Sequence, residues 1–527
     1  MSTLAPALAG PAPLRRRRPP LALGLASCLV ALLLLLPLAF LLLEARQVGW
    51  GQLSALLFRQ LTASLLWNMV RLAAVVTVAA AAIGTLAAFL VERTDLPGRR
   101  VLGPLLLLPL AVPDFVIAFG WISVAPAVRG YWGAVLVMTM GLYPLVYLPV
   151  AASLRGADPS QEETARTLGQ GPWRTFWHVT LRRARPTILA GCLLVSLALL
   201  AEYGAFEILG YQTFTTEIFT EFQVGFNAPA ACALALVVVL IGLAVLVAEG
   251  ALPERGRVGG AGRAPGRPQA RHHLGAWRWP LLGAAGALIG VSLGVPIGVI
   301  AFWMLQGGRS TLPASATVAS AAGHTIAYSA AAAAIAVLMA LPVALLAIRH
   351  PSPSVRLLER STYIVQGLPG LVIALALVFF ALHYLPSVYQ TSSLLIGAYA
   401  MLFFPLAYVA IRASVLQAPV GLEEVARSLG RRPLAVRLRV TLPLVAPGLA
   451  AAFCLVFISA VTELTATLIL VPTGVQTLAT QFWAYTGNVS YGAAAPYAAA
   501  MVAISIVPAV LLGRWFDRRD LRRGRPA

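Results

Sequence analysis

Apolar runs of roughly 20 residues or more, separated by short polar stretches, occupy almost the whole chain. About twelve can be counted, at 21-43, 64-91, 103-125, 132-154, 187-209 and 229-249, then at 280-305, 318-348, 359-384, 393-416, 445-470 and 491-513. A helix rises about 1.5 Å per residue, so some 20 apolar residues cross the roughly 30 Å hydrocarbon core of a bilayer. The pattern predicts an all-α polytopic membrane protein. The first run follows Arg15 to Arg18, as a secretory signal would. It is about 20 residues or longer and no small-residue cleavage site closes it, so it reads as a first span.

One polar block interrupts this pattern twice. Glu162 to Pro172 reads E-E-T-A-R-T-L-G-Q-G-P, and Glu423 to Pro433 reads E-E-V-A-R-S-L-G-R-R-P. The offset of 261 residues holds without a gap from Pro144/Pro405 to Glu202/Glu463. Upstream, V-P-D-F-V-I-A-F at Val112 to Phe119 matches L-P-G-L-V-I-A-L at Leu368 to Leu375, there at an offset of 256. Six spans per repeat is an even number, so both halves enter the membrane with the same orientation, as parallel repeats. The halves are 1-250 and 278-527. Residues 251-277, rich in Gly, Pro, Arg and Ala and without hydrophobic period, read as a flexible linker.

Composition excludes a soluble domain. The 527 residues are 59% hydrophobic and only 11% charged, against about a quarter charged in soluble proteins. A net charge of +20 raises a nucleic-acid role, but its distribution argues against one. The basic clusters fall at the termini and in alternate connections: Arg15 to Arg18, Arg93 with Arg99 and Arg100, Arg155 to Arg185, Arg255 to Arg278, Arg427 to Arg439 and Arg514 to Arg525. The positive-inside rule puts these, both termini and the linker in the cytoplasm. Every Lys/Arg position is Arg, so the chain lacks the lysine of a standard P-loop. Cys28, Cys192, Cys232 and Cys454 lie singly in apolar spans, and the six histidines are scattered; no metal site is assigned.

The repeated block predicts a short helix. Ser160 with Glu163 forms a capping box, Gly421 stands at the equivalent cap, and Gly169 and Gly430 suit helix C-termini. A helix of about two turns is not stable alone, so each needs a partner surface. The block resembles the EAA loop of permease subunits in binding-protein-dependent ABC importers: Glu, two small residues, Gly and a later Ile-x-Leu-Pro. Glu163, Ala165, Gly169, Val179 and Leu181 match in the first copy, and Glu424, Ala426, Gly430, Val440, Leu442 and Pro443 in the second. Thr164, Val425 and Arg182 depart from the pattern. The resemblance implies a type I importer permease fold in a bacterial inner membrane. It implies that the helices carrying Glu162, Glu163, Glu423 and Glu424 dock into two cytoplasmic ATP-binding subunits. It also implies a periplasmic or lipid-anchored substrate-binding protein, with 210-227 (Glu217, Glu221) and 471-490 (Gln476, Trp483, Tyr485) as its docking loops. The fused two-half form is similar to ferric-iron permeases, and the stretches from Glu202 and Glu463 carry that likeness. Fused thiamine and aminoethylphosphonate permeases share the plan.

Ionisable groups inside spans suggest function. Asp114 follows Pro113 in the third span, Glu202 and Glu463 lie in equivalent fifth spans, and Glu207 is about a turn beyond Glu202. A pair of carboxylates at the axis suits a hard, oxygen-preferring cation; structural hydrogen bonds between helices are the alternative. Pro113 and Pro369 either break their helices and free carbonyls towards a cavity or only kink them. The competing classes are an ion-coupled secondary transporter and a membrane-embedded enzyme. The first needs no paired polar helices, and the second needs a convergent nucleophile, base or metal set that the sequence lacks. No cofactor and no catalysis are expected in this chain.

Overall fold

A computed structural model describes residues 20–155, 160–250, 271–307 and 312–523. The basic cluster Arg15 to Arg18, most of the linker and Arg525 lie outside these. Among the described residues nine helices are long and apolar enough to span a membrane, and three bent pairs raise the count to twelve. In the first half these are Leu21–Glu44, Gln60–Arg93, the pair Arg99–Ala111 with Asp114–Val124, Gly130–Arg155, Phe176–Ala201 and Pro229–Ala248. In the second they are Gly275–Gln306, Ser315–Arg349, the pair Pro353–Gly367 with Gly370–Tyr384, the pair Ser392–Leu402 with Phe404–Gln417, Leu434–Val461 and Tyr491–Pro508.

Three of the expected straight spans are therefore broken. The third bends by 94°, the ninth by 104° and the tenth by 51°. Pro113 and Pro369 stand at the first two breaks as N-caps, with φ near −58° and −59°. Proline lacks the N–H that would continue a helix and clashes with the preceding turn. The proline carbonyls are not free, however. Pro113 accepts the N–H of Val116 and Ile117, and Pro369 accepts those of Val372 and Ile373. The fifth and eleventh spans also differ from expectation. Each begins about ten residues early, through a π-helical turn at Phe176–Thr180 or Arg437–Thr441. Each ends early too, at Ala201 or Val461. Glu202 and Glu463 consequently lie just beyond the helices, where the chain turns into the short segments Gly204–Leu209 and Thr465–Leu470.

Two apolar cores hold the molecule together, and neither coincides with a sequence half. One joins Leu72, Val116, Val146 and Leu199 of the first half to Leu293, Ile300 and Met501 of the second. The other joins Ala336, Ile373, Ala407 and Val456 of the second half to Leu34, Leu41 and Val238 of the first. Each half thus packs its second to fifth spans against the first and last spans of the other half. In lipid there is no hydrophobic drive between helices, so close packing of small residues matters most. Ala332, Ala333, Ala336 and Ala340 are fully buried along one helix for that reason.

The end of the linker is pinned. His272 exchanges backbone hydrogen bonds with residues flanking Thr94: its N–H donates to Arg93 and its carbonyl accepts from Asp95. The Asp95 carboxylate accepts the Leu274 N–H at 2.9 Å and faces His273 Nδ1 at 3.0 Å. The Leu274 N–H, with help from His273, holds the Asp95 carboxyl below its usual range. That stabilisation is complete above the free-chain value of about 3.9 and is lost as pH falls through the lower folded value. Replacing Asp95 by Ala should release residues 271–274 and speed protease cleavage after Arg271 several-fold at neutral pH. An unchanged cleavage rate would show that the backbone bridge alone pins the segment.

Candidate functional site

The repeated polar blocks form the helices Ser160–Thr167 and Val420–Ser428. Ser160 is already helical and Gly421 is the second residue of its helix, so neither occupies the expected cap. Pro419 caps the second helix, its fixed φ of −65° suiting that place; residues 156–159, before the first, lie outside the described chain. The C-terminal expectation agrees with the geometry. Gly169 and Gly430 both adopt φ +78°. The next N–H reaches back to the carbonyl of Ala165 or Ala426, at 3.0 and 3.2 Å, as in a Schellman turn. A side chain with a Cβ in that conformation costs about 1–2 kcal/mol.

The paired glutamates divide their roles. Glu162 and Glu423 face the protein body and are 7% and 5% exposed. Glu162 pairs with Arg93 and accepts the Thr180 hydroxyl at 2.8 Å. Glu423 pairs with Arg349 at 2.9 Å and with Arg427 at 3.4 Å. Breaking a buried pair of this kind costs about 3–5 kcal/mol. Glu163 and Glu424 face outward and are exposed. Ala165 is buried, and Ala426 is half-buried, on the inner face. Exposed apolar side chains accompany the outer glutamates: Leu168 just after the first helix, Leu422 and Val425 on the second, and Leu429 at its end. Each helix therefore presents one acid among apolar groups, held from behind by an ion pair. The sequence reading grouped all four glutamates. The recurrence of Arg93 and Arg349 at the 256-residue offset was the signal that separates them.

The second cluster lies where the halves meet. A Cβ added at Gly204 would stand 2.6 Å from Leu464 Cδ2 and 3.0 Å from Phe115 Cβ, so the two halves approach closely at this glycine. The Tyr203 and Trp483 rings meet at a tilt with centroids 5.6 Å apart, and Phe115 meets Phe482 at 5.4 Å. Trp483 is half-buried, with its ring against Tyr203. Glu202 accepts the Ala205 N–H at 2.7 Å, and Glu463 accepts the Ala466 N–H at 2.9 Å. Both carboxylates start the next short helix, where the helix dipole favours negative charge. Glu463 stands beside Gly370, just after the Pro369 break. Asp114 occupies the position equivalent to Gly370, beside Gly141. Glu207 is exposed and does not join them. Among the described residues no three of His, Cys, Asp and Glu converge as metal ligands.

The two halves differ around these acids. Glu463 borders a narrow crevice with Thr325, Tyr328, Ser329, Tyr399 and Thr477. The first-half counterparts of Thr325, Ser329 and Tyr399 are Met69, Ala73 and Met138. A separate cavity of about 260 Å³ opens between Phe222, Gln223 and Phe226 of one half and Val378, Tyr389 and Ile469 of the other. No carboxylate lines it. The connections 210-227 and 471-490 are largely helical, with Phe214–Gln223 and Leu478–Gly487 each opened by a threonine capping box. Glu217 and Glu221 are tied to Arg59, at 4.0 and 3.0 Å.

A family model described as binding-protein-dependent transport system inner membrane component matches twice, over residues 80–257 and 334–521. The chain belongs to this family. It is a multi-pass inner membrane component whose two matched regions each hold one polar helix. It is 38% identical to the Fe(3+)-transport system permease protein FbpB 2 of Haemophilus influenzae, over 95% of this chain and 99% of that protein. It is 30% identical to the sulfate transport system permease protein CysT of Escherichia coli, over 45% of this chain and 92% of that one. It is 33% identical to the molybdenum transport system permease protein ModB of the same species, over 23% of this chain and 60% of that one. One permease of the CysT kind thus corresponds to about half of this chain.

Proposed function

We propose that this chain is the fused permease subunit of an ATP-driven importer for ferric iron. Full-length similarity to a fused ferric-iron permease carries the substrate reading. The acids at the axis support it. Asp114, Glu202 and Glu463 bring carboxyl oxygens to the region where the halves meet, ligand chemistry that suits a hard cation and not an oxyanion such as sulfate or molybdate. Thiamine and aminoethylphosphonate remain the alternatives.

The polar helices are the docking elements for two separate ATP-binding subunits, with Glu163 and Glu424 on the contact face beside exposed leucines. Closure of the ATPase pair around nucleotide pulls the two helices together and reorients the spans, alternating access to the axis. A binding protein delivers the solute on the opposite side. Both termini and the linker are cytoplasmic on this reading, because the Arg clusters lie there. Glu202 and Glu463 pass the cation between the halves. Purification in mild detergent tests the assembly: an ATPase and a ferric-binding protein should co-purify. A chain that purifies alone and transports alone would contradict it.

A further inference from the structure

Arg93 and Arg349 have a place in the fold that docking alone does not use. Each is the last residue of a long span, Gln60–Arg93 or Ser315–Arg349. Their side chains are 3% and 14% exposed. In the first half one oxygen, Glu162 Oε1, meets Arg93 Nη2 and the Thr180 hydroxyl. That single carboxylate joins the end of the second span, the polar helix, and the π-helical turn at the foot of the fifth span. In the second half Arg349 Nη2 donates to Glu423 Oε1 at 2.9 Å and to the Ala418 carbonyl at 3.1 Å. Thr441 stands buried in the corresponding π-helical turn. The chain therefore repeats the arginine–glutamate pair beneath the outward faces of Glu163 and Glu424, whereas the hydroxyl bond to the fifth span is made in the first half and the Thr441 hydroxyl has no partner among the described residues.

Such a junction has a mechanical consequence. A polar helix of eight or nine residues, held only by its connections, would tilt when pushed. A guanidinium–carboxylate bond buried at its inner face fixes its position against the long span. Arginine suits the task, being always charged and planar with several fixed donors. We propose that Arg93–Glu162 and Arg349–Glu423 are struts that carry displacement of the polar helices into the second span of each half, and in the first half through Thr180 into the fifth span as well. Arg93 and Arg349 are thus positioning residues for transport. The inference rests on the docking reading above.

The test uses the full chain with its ATPase and binding protein in liposomes, comparing Arg93→Gln, Arg349→Gln, the double variant, and the Arg→Lys versions. ATPase co-purification and ATP hydrolysis should persist, because the outward faces are untouched. Solute moved per ATP should fall roughly tenfold in each Gln variant, within the usual range of coupling between sites, and further in the double variant. Lys should recover most of it. If the Gln variants do not assemble, Glu162→Gln keeps the Thr180 hydrogen bond and should show the same split. Unchanged solute per ATP would overturn the strut. So would loss of ATPase binding, which would make the arginines shapers of the docking face, or failure of every variant to fold, which would make them purely structural. Failure of the wild-type chain to bind any ATPase would instead overturn the docking reading itself.

Discussion

Reversing Glu163 and Glu424 together, as Glu163→Arg with Glu424→Arg, is expected to abolish uptake while the chain still inserts and folds. Both side chains are exposed on the outer faces of their helices, so no buried contact is lost. What changes is the charge presented to a partner surface. Like charges brought together at an interface cost several kcal/mol, equivalent to a loss of about a hundredfold or more in affinity per site. Two sites fail at once, so ATPase co-purification should fall with uptake. The contrast is Glu162→Arg with Glu423→Arg, which places like charges against Arg93 and Arg349 in enclosed pockets. That variant should fail to accumulate at all. Normal uptake by a well-expressed Glu163/Glu424 variant would remove the docking role.

The second large effect concerns the axis. Replacing Glu202 and Glu463 by Gln leaves a side-chain oxygen able to accept the Ala205 and Ala466 N–H groups, so the short helices keep their starts. Only charge is lost. A unit charge pair at about 4 Å in an effective dielectric near 20 interacts by about 4 kcal/mol, so a cation passing these groups should be strongly affected. Uptake should fall roughly a hundredfold or more, while ATP hydrolysis stimulated by the binding protein persists. If uptake stays intact in the double Gln variant, the carboxylates are helix starts and nothing more. Asp114→Asn provides the companion measurement, since Asp114 has no acidic counterpart in the other half, where Gly370 takes its place.

Much of this was legible in the sequence because the chain states it twice. The repeated block located both polar helices, and the glycines at Gly169 and Gly430 fixed their ends through a backbone conformation that other residues resist. Runs of apolar residues gave the number of spans. They could not give the breaks, because an apolar run reads the same whether it continues straight or turns by 94° at a proline. The same blindness placed Glu202 and Glu463 inside spans that end just before them. Hydrophobic pattern is also silent on partners. Nothing in it reveals that the outer spans of each half complete the core of the other, or that Glu162 turns inward while its neighbour Glu163 turns out. A rotation of about 100° per residue separates those two glutamates on a helix, and the inward partners, Arg93 and Arg349, lie about 70 residues away.

The central claim is ATP-driven import of ferric iron through this fused permease. Its most direct test is accumulation of radiolabelled ferric iron in liposomes holding the purified chain with its ATPase, with loaded binding protein outside and ATP within. The account predicts accumulation that requires both the binding protein and hydrolysable ATP, and that survives collapse of proton and sodium gradients. Accumulation driven by an ion gradient without ATP, or none with iron but transport of another solute, would contradict it.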